Sequence, residues 1–235
     1  MAISIFVWTV GAIFTILVFF AMLFWTVVLY PFDRKRKMAH RQCFWWADAI
    51  IALNPYWKVT VSGLENIDKH KTYVIVANHQ SLADIAIIYK TRMQFKWVAK
   101  ESLFSVPFIG WNLSLAKHIK LERGNLGSIK KIYREAAVWL RDRMSVLLFP
   151  EGTRSLTGEI GEFQNGAFKL AIREKVPILP ILIKGAGQAI PRGSWIFRTN
   201  VPVTLTVLPA IDTSHLREAD FAELRDMTRS RLMAS

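Results

Sequence analysis

At 235 residues, 52% hydrophobic and with 31 Lys+Arg against 18 Asp+Glu, the chain carries a net charge of +13 at pH 7. That length has room for one catalytic domain with a short appendage, and the charge implies polyanionic company: nucleic acid, an anionic membrane surface or a phosphorylated substrate. The single cysteine, Cys43, excludes an intrachain disulfide and has no spaced partner for a zinc site.

From Ala2 to Phe32 there is no charged side chain, and Val, Ile, Leu, Phe and Trp dominate. As a helix this stretch reaches about 46 Å, more than the roughly 30 Å of a bilayer's hydrocarbon core. It can cross with tilt, or bend near Gly11 and sit in one leaflet. No basic segment precedes it and no small-residue cleavage pattern follows, so it reads as a membrane anchor rather than a signal peptide. Directly after it come Asp33-Arg34-Lys35-Arg36-Lys37 and Arg41. Basic residues beside a span stay cytoplasmic and attract anionic headgroups. The stretch Cys43–Trp57 carries Phe44, Trp45, Trp46, Tyr56 and Trp57, broken by Asn54-Pro55. It fits an interfacial helix and a core helix equally well.

From Lys58 the pattern is that of an α/β domain. Strands are expected at Val59–Gly63, Thr72–Ala77, Phe95–Val98, Ile119–Leu121, Ser145–Phe149, Val176–Ile183 and Val201–Leu208. Helices are expected at Ala83–Tyr89, with Ser81 as N-cap, and at Leu126–Arg141, Ala167–Glu174 and Glu218–Met233. Strands alternating with helices give a mixed, largely parallel sheet flanked by helices. Two units follow: residues 1–57, hydrophobic membrane-anchoring helices, and residues 58–235, the α/β domain.

Two polar blocks stand where buried strands end, the usual place for active sites in open α/β sheets. The first is Asn78-His79-Gln80-Ser81-Leu82-Ala83-Asp84. With His79 on the loop and Asp84 in the first helical turn, the carboxylate can fold back onto the imidazole and supply an oriented general base. Backbone N–H groups at that helix start are the expected oxyanion donors. The second block is Phe149-Pro150-Glu151-Gly152-Thr153-Arg154-Ser155. Arg154 offers a planar fork suited to phosphate, and Gly152 lets backbone approach a ligand. Between the blocks lie Lys96, Lys100, Lys117, Lys120 and Arg123, most of which would be solvated in any protein. Val176-Pro177-Ile178-Leu179-Pro180 reads as a core or edge strand, with an acyl-chain groove as the sharper alternative.

In this order and spacing the blocks resemble the glycerophospholipid acyltransferase family, over about residues 58 to 190. The family's N-H-x4-D, F-P-E-G-T-R-S and V-P-I-x-P patterns stand here as Asn78–Asp84, Phe149–Ser155 and Val176–Pro180. Lys117 takes the place of an expected glycine, Glu122 that of an aspartate, and Gln164-Asn165 stand where a basic residue is usual. The resemblance implies an O-acyltransferase that moves a fatty acyl group from acyl-CoA or acyl carrier protein to a lysophospholipid, with 1-acyl-glycerol-3-phosphate as the expected acceptor and phosphatidic acid as product. By it His79 is the base and Asp84 its partner. Glu151, Gly152, Thr153 and Arg154 hold the acceptor's glycerol phosphate, and Lys100 and Arg123 assist at the phosphate. No metal or cofactor is implied beyond the acyl donor, and the expected surroundings are membrane lipid with the domain on the cytoplasmic side of a bacterial inner membrane or its equivalent. The competing readings are another lysolipid acceptor, a metal-dependent phosphoester hydrolase using His79, Asp84 and Glu151, and a non-catalytic membrane-surface protein. Nucleic-acid binding has no accompanying module.

Overall fold

The structure, a computed structural model, describes every residue except 55, 56, 123–125, 192 and 199, together with the side chain of residue 126. Expectations for Tyr56, the Pro55 break and Arg123 therefore lie outside the described residues.

Seven strands form one sheet in the order β1(Lys58–Ser62), β7(Pro202–Val207), β6(Ile178–Lys184), β2(Val74–Ala77), β5(Ser145–Leu148), β3(Phe95–Lys100), β4(Ile119–Leu121). Every neighbouring pair is parallel except β6 with β7. The sheet is thus mixed and largely parallel. Its central strands β2 and β5 are buried at every position, as a continuous apolar run between two helical layers requires. The two-proline strand β6 is buried at six of its seven positions and is a core strand. Pro180 takes part in the parallel ladder opposite Val76.

One face of the sheet is covered by α6(Leu126–Arg141), α7(Gly166–Glu174) and α9(Phe221–Ala234). On α6 the residues Ile132, Ala136, Ala137 and Leu140 are buried. Ile129, expected on the same stripe, is 40% exposed. The other face is covered by α3(Asp84–Tyr89), the short α8(Ala186–Ala189) and α2(Lys37–Ala52), whose Phe44 and Ala47 enter the same apolar cluster as Ile87 and Phe95. Between β3 and β4 lie two short helices, α4(Glu101–Phe104) and α5(Ile109–Leu115). Pro107 and Gly110 read as an interruption in the sequence; in the structure Pro107 lies between the two helices and Gly110 in the first turn of α5, with the backbone of Phe104 against it.

The apolar N-terminus is one helix, α1(Ala2–Val28), long and apolar enough to cross a membrane. It lies along the domain. Ser4, Val7, Gly11, Thr15, Val18 and Met22 form its buried stripe at helical spacing. Thr15 Oγ1 accepts from Trp46 Nε1 at 2.9 Å, and Asn112 of α5 donates to the Thr15 carbonyl. Ser4 Oγ accepts from the Phe197 amide at 3.0 Å. Phe6, Ile13, Leu17, Phe20, Phe24 and Val27 point the other way and are exposed. The stretch from residue 43 is helical as far as Ala52 and packs against both α1 and α3, so of the two readings the core helix is the one built, although Trp45 stays 67% exposed.

Candidate active site

The parallel strands β6, β2, β5 and β3 all end on one edge of the sheet, and the two polar blocks meet there. Asn78, the first residue past β2, is buried and bonds both ways to β6. Its Nδ2 donates to the Ile183 carbonyl at 2.8 Å and its Oδ1 accepts from the Ile183 amide at 2.8 Å. A side chain thus replaces the ladder where the strand stops, and this fixes the direction in which His79 leaves the sheet.

His79 Nδ1 lies 2.7 Å from Asp84 Oδ2. The Asp84 side chain is fully buried, whereas that of His79 is 21% exposed. Holding Nδ1–H on a buried carboxylate fixes the tautomer and leaves Nε2 as the nitrogen facing outward. Asp84 Oδ2 also accepts the amides of Gln80 at 2.7 Å and Ser81 at 2.9 Å. The turn from strand to helix is therefore wound around one carboxylate oxygen. The other, Oδ1, is buried without a hydrogen-bond partner among the described residues. On its outer side the imidazole stacks on Phe149, with ring centroids 4.1 Å apart.

One expectation for this turn is corrected and another is narrowed. Ser81 is not the helix N-cap: α3 starts after Ala83, and the fully buried Ser81 hydroxyl donates to the Ile190 carbonyl at 3.0 Å. Of the amides just after His79, those of Gln80 and Ser81 are spent on Asp84 and that of Ala83 reaches Ser81 Oγ, which narrows the expected oxyanion donors.

The second block folds onto the first. The loop leaving β5 returns on itself, the Gln164 amide donating to the Pro150 carbonyl at 2.9 Å. Glu151 Oε1 accepts the His79 amide at 2.8 Å, and Oε2 accepts the Gly161 amide at 3.0 Å. In return the Ser155 amide donates to the His79 carbonyl at 2.7 Å. Gln80 Nε2 adds a bond to the Gly158 carbonyl at 2.7 Å. Burial raises the Glu151 carboxyl above its ordinary range, against the pull of the two amides. Arg154, adjacent to Ser155, is half-buried in this loop, and Thr153 is exposed. Gly152 has φ +69°, and a Cβ there would meet nothing within 4 Å, so the backbone rather than space demands glycine and its outer side is open.

Lys100 is exposed at the end of β3, on the same sheet edge but two strands from β2, about 10 Å away at ordinary strand spacing. Lys96 belongs elsewhere. It is fully buried and donates to the carbonyls of Lys35 and Ala116, tying the basic linker to the domain. Lys117, where glycine was expected, has φ +54°, the left-handed backbone that glycine adopts freely. Asn165, where a basic residue was expected, accepts from Arg225 of α9 at 2.6 Å, so a guanidinium arrives from outside the motif. Among the described residues no three His, Cys, Asp or Glu side chains are grouped to hold a metal ion; Glu151 and Asp84 turn their bonded oxygens to backbone amides and His79. The bonding roles of Asn78, Gln80, Gly161 and Phe149 join residues up to 107 positions apart. Only the strand-end position of Asn78 hinted at one.

Comparison with known proteins follows the same residues. A family model described as Acyltransferase matches residues 58–184. A 1-acyl-sn-glycerol-3-phosphate acyltransferase of Chlamydomonas reinhardtii is 34% identical over 236 residues, covering 100% of this chain and 69% of that protein. A chloroplastic protein of that name from Brassica napus is 36% identical over 165 residues, covering 69% of this chain and 47% of its own length. The chain thus spans from about half to two thirds of these relatives. The crystal structure of the 1-acyl-sn-glycerophosphate (LPA) acyltransferase PlsC from Thermotoga maritima superposes with a TM-score of 0.82 at 26% identity, covering 100% of this chain and 96% of that one.

Proposed function

The chain belongs to the acyltransferase family as an O-acyltransferase, and on that premise we propose that it moves a fatty acyl group from an acyl-CoA or acyl carrier protein thioester to the free hydroxyl of 1-acyl-glycerol-3-phosphate, giving phosphatidic acid. The observation that carries this reading is the bond from the Ser155 amide to the His79 carbonyl. It brings a histidine–carboxylate base and a guanidinium-bearing loop, some seventy residues apart in sequence, to one sheet edge.

Nε2 of His79 takes the proton of the acceptor hydroxyl as that oxygen attacks the thioester carbonyl. Asp84 stabilises the imidazolium so formed. As the tetrahedral intermediate collapses, the carbon–sulfur bond breaks, and the imidazolium returns the proton to the departing thiolate. The substrate brings its own hydroxyl, so no enzyme nucleophile is needed. Arg154, with Thr153 and the uncrowded turn at Gly152, receives the phosphate, and Lys100 and Arg123 add positive charge. Glu151 acts with them by holding the loop against His79 rather than by touching an anion, since both its oxygens already face backbone amides. The reaction draws on no metal or cofactor besides the donor.

The membrane is where the acceptor's chain resides. The apolar face of α1 is exposed along its whole length while the opposite face is bonded to α2, α5 and the segment at Phe197. That supports a helix lying in one leaflet, in preference to a helix that leaves the domain to cross, and the basic run Arg34-Lys35-Arg36-Lys37 favours the cytoplasmic face. The test of the chemistry is His79→Ala. A folded, membrane-bound variant loses at least 10²-fold in turnover, the lower end of what a general base supplies. Near-normal acyl transfer from that variant overturns the assignment.

A further inference from the structure

A groove of about 880 Å³ opens between the C-terminal third of α1 and the first turns of α2. Aromatic rings line it, from Trp25, Phe44 and Trp45, together with the cations Lys37, Arg41 and Arg92. No carboxylate lines it. Asp48 bonds Lys90 and Arg92 from behind, and Asp33 spends both oxygens on the amides of Lys37 and Met38 at the start of α2. The groove is remote from the catalytic dyad. Arg92 and Gln94 lead into the N-terminal end of β3, whereas His79 and Glu151 stand past the C-terminal ends of β2 and β5. A strand's length, roughly 15–20 Å, separates the two. Beside the groove the outward face of α1 continues with Phe20, Phe24 and Val28, each more than half exposed.

Cations beside aromatic rings, at the end of a helix whose free face is wholly apolar, match a ligand with one anionic group and long hydrocarbon. We infer that this groove is a second lipid site, distinct from the catalytic one, which takes a diacyl anionic phospholipid of the surrounding bilayer. The phosphate sits on Lys37 and Arg41, and a chain lies along Trp25, Phe44 and Trp45. Arg92, braced by Asp48 and placed over the Phe44 ring at 5.6 Å, is the third cation. An acidic peptide would satisfy the cations but leave the adjoining phenylalanines of α1 in water, so charge and apolar surface together select a lipid. The inference rests on the leaflet placement proposed above.

The test uses the full chain, wild type and K37A/R41A, with K130A/K131A on the exposed surface of α6 as a control of equal charge. Native mass spectrometry in detergent measures retention of diacyl phosphatidylglycerol against phosphatidylcholine. Flotation is run with vesicles of phosphatidylcholine alone and mixed with phosphatidylglycerol. At about fivefold per cation near a membrane surface, K37A/R41A binds phosphatidylglycerol about 30-fold more weakly than wild type. K130A/K131A binds it as wild type does, and all three proteins keep acyl transfer on micellar substrate within about twofold, which shows that they are folded. Equal phosphatidylglycerol retention by wild type and K37A/R41A overturns the site. So does an equal loss in K130A/K131A, which would reduce the effect to diffuse charge. Flotation of wild type with both vesicles but without lipid preference leaves the leaflet placement standing and removes the groove; failure to float with either removes both.

Discussion

Replacing Asp84 with asparagine isolates one quantity, the charge behind His79. Asp84 Oδ2 accepts from His79 Nδ1 at 2.7 Å and from the amides of Gln80 and Ser81 at 2.7 and 2.9 Å. An asparagine carbonyl oxygen in the same place keeps all three hydrogen bonds and the shape of the turn. What disappears is the negative charge that meets the imidazolium when the acceptor hydroxyl gives up its proton. At roughly 4 Å between charge centres and an effective dielectric near 20, that attraction is about 4 kcal/mol, which corresponds to about 10³-fold in kcat at about 1.4 kcal/mol per decade. Stability changes modestly: Oδ1 is buried without a hydrogen-bond partner among the described residues, so the new amide leaves its N–H groups unpartnered there while a buried charge is removed. Steady-state assay of thiol release with an acyl-CoA and 1-acyl-glycerol-3-phosphate measures kcat and both KM values, and thermal unfolding checks the fold. The expected result is a kcat loss of about three decades with KM values within about threefold and Tm within a few degrees. A folded Asp84→Asn enzyme retaining a tenth or more of wild-type kcat refutes the assignment of that carboxylate.

Arg154→Ala removes a charge-assisted contact of about 1.5–3 kcal/mol and raises the acceptor KM about 10- to 100-fold; a rise confined to the acyl donor's KM would move this guanidinium to the other substrate. Gly166→Ala places a Cβ 1.6 Å from the Tyr133 hydroxyl and 2.0 Å from its ring carbon, so it destabilises by about 1–3 kcal/mol, and adding Tyr133→Ala recovers part of the loss in denaturant unfolding. Without that coupling the two helices do not meet as described. Burial, and then the nearby Lys96, lower the pKa of His40 to about 3. Its unfolded form therefore takes up a proton first, and stability falls as pH drops from 6.5 towards 3 by about 1.4 kcal/mol per unit. His40→Phe, filling the same aromatic pocket of Phe44, Tyr89 and Phe95, gains about 2 kcal/mol on wild type between pH 8 and pH 5. Parallel stability–pH curves for the two proteins would contradict this.

The fold was legible wherever burial left a one-dimensional trace. β2 and β5 read as continuous apolar runs because both faces are covered, and α6 read as a helix because one stripe meets the sheet. α4 and α5 left no such trace: each is under two turns and they are joined through Pro107, so neither accumulates a period. The strand-end position of both polar blocks was also legible, and with it the pairing of His79 and Asp84. What sequence could not give was the fate of backbone groups. Ser81 has the chemistry of an N-cap, yet its hydroxyl is drawn 109 positions away to Ile190. Two of the amides in the stretch expected to greet an oxyanion, those of Gln80 and Ser81, are consumed by the same carboxylate that orients the base. Lys96 looked like one more member of a basic surface and is instead a buried tie to the Lys35 carbonyl, because β3 turns that side chain under the linker.

The carboxylate of Glu151, clasped between the amides of His79 and Gly161, makes one hinge pin of two sequence motifs. A substitution in the arginine-bearing loop will shift the imidazole, and one in the histidine turn will slacken the loop. Alanine scans of either motif will then look as if every position were indispensable, with losses that overlap instead of multiplying. Only paired replacements, one from each side of the pin, can separate the residue that performs a step from the one that keeps it in place.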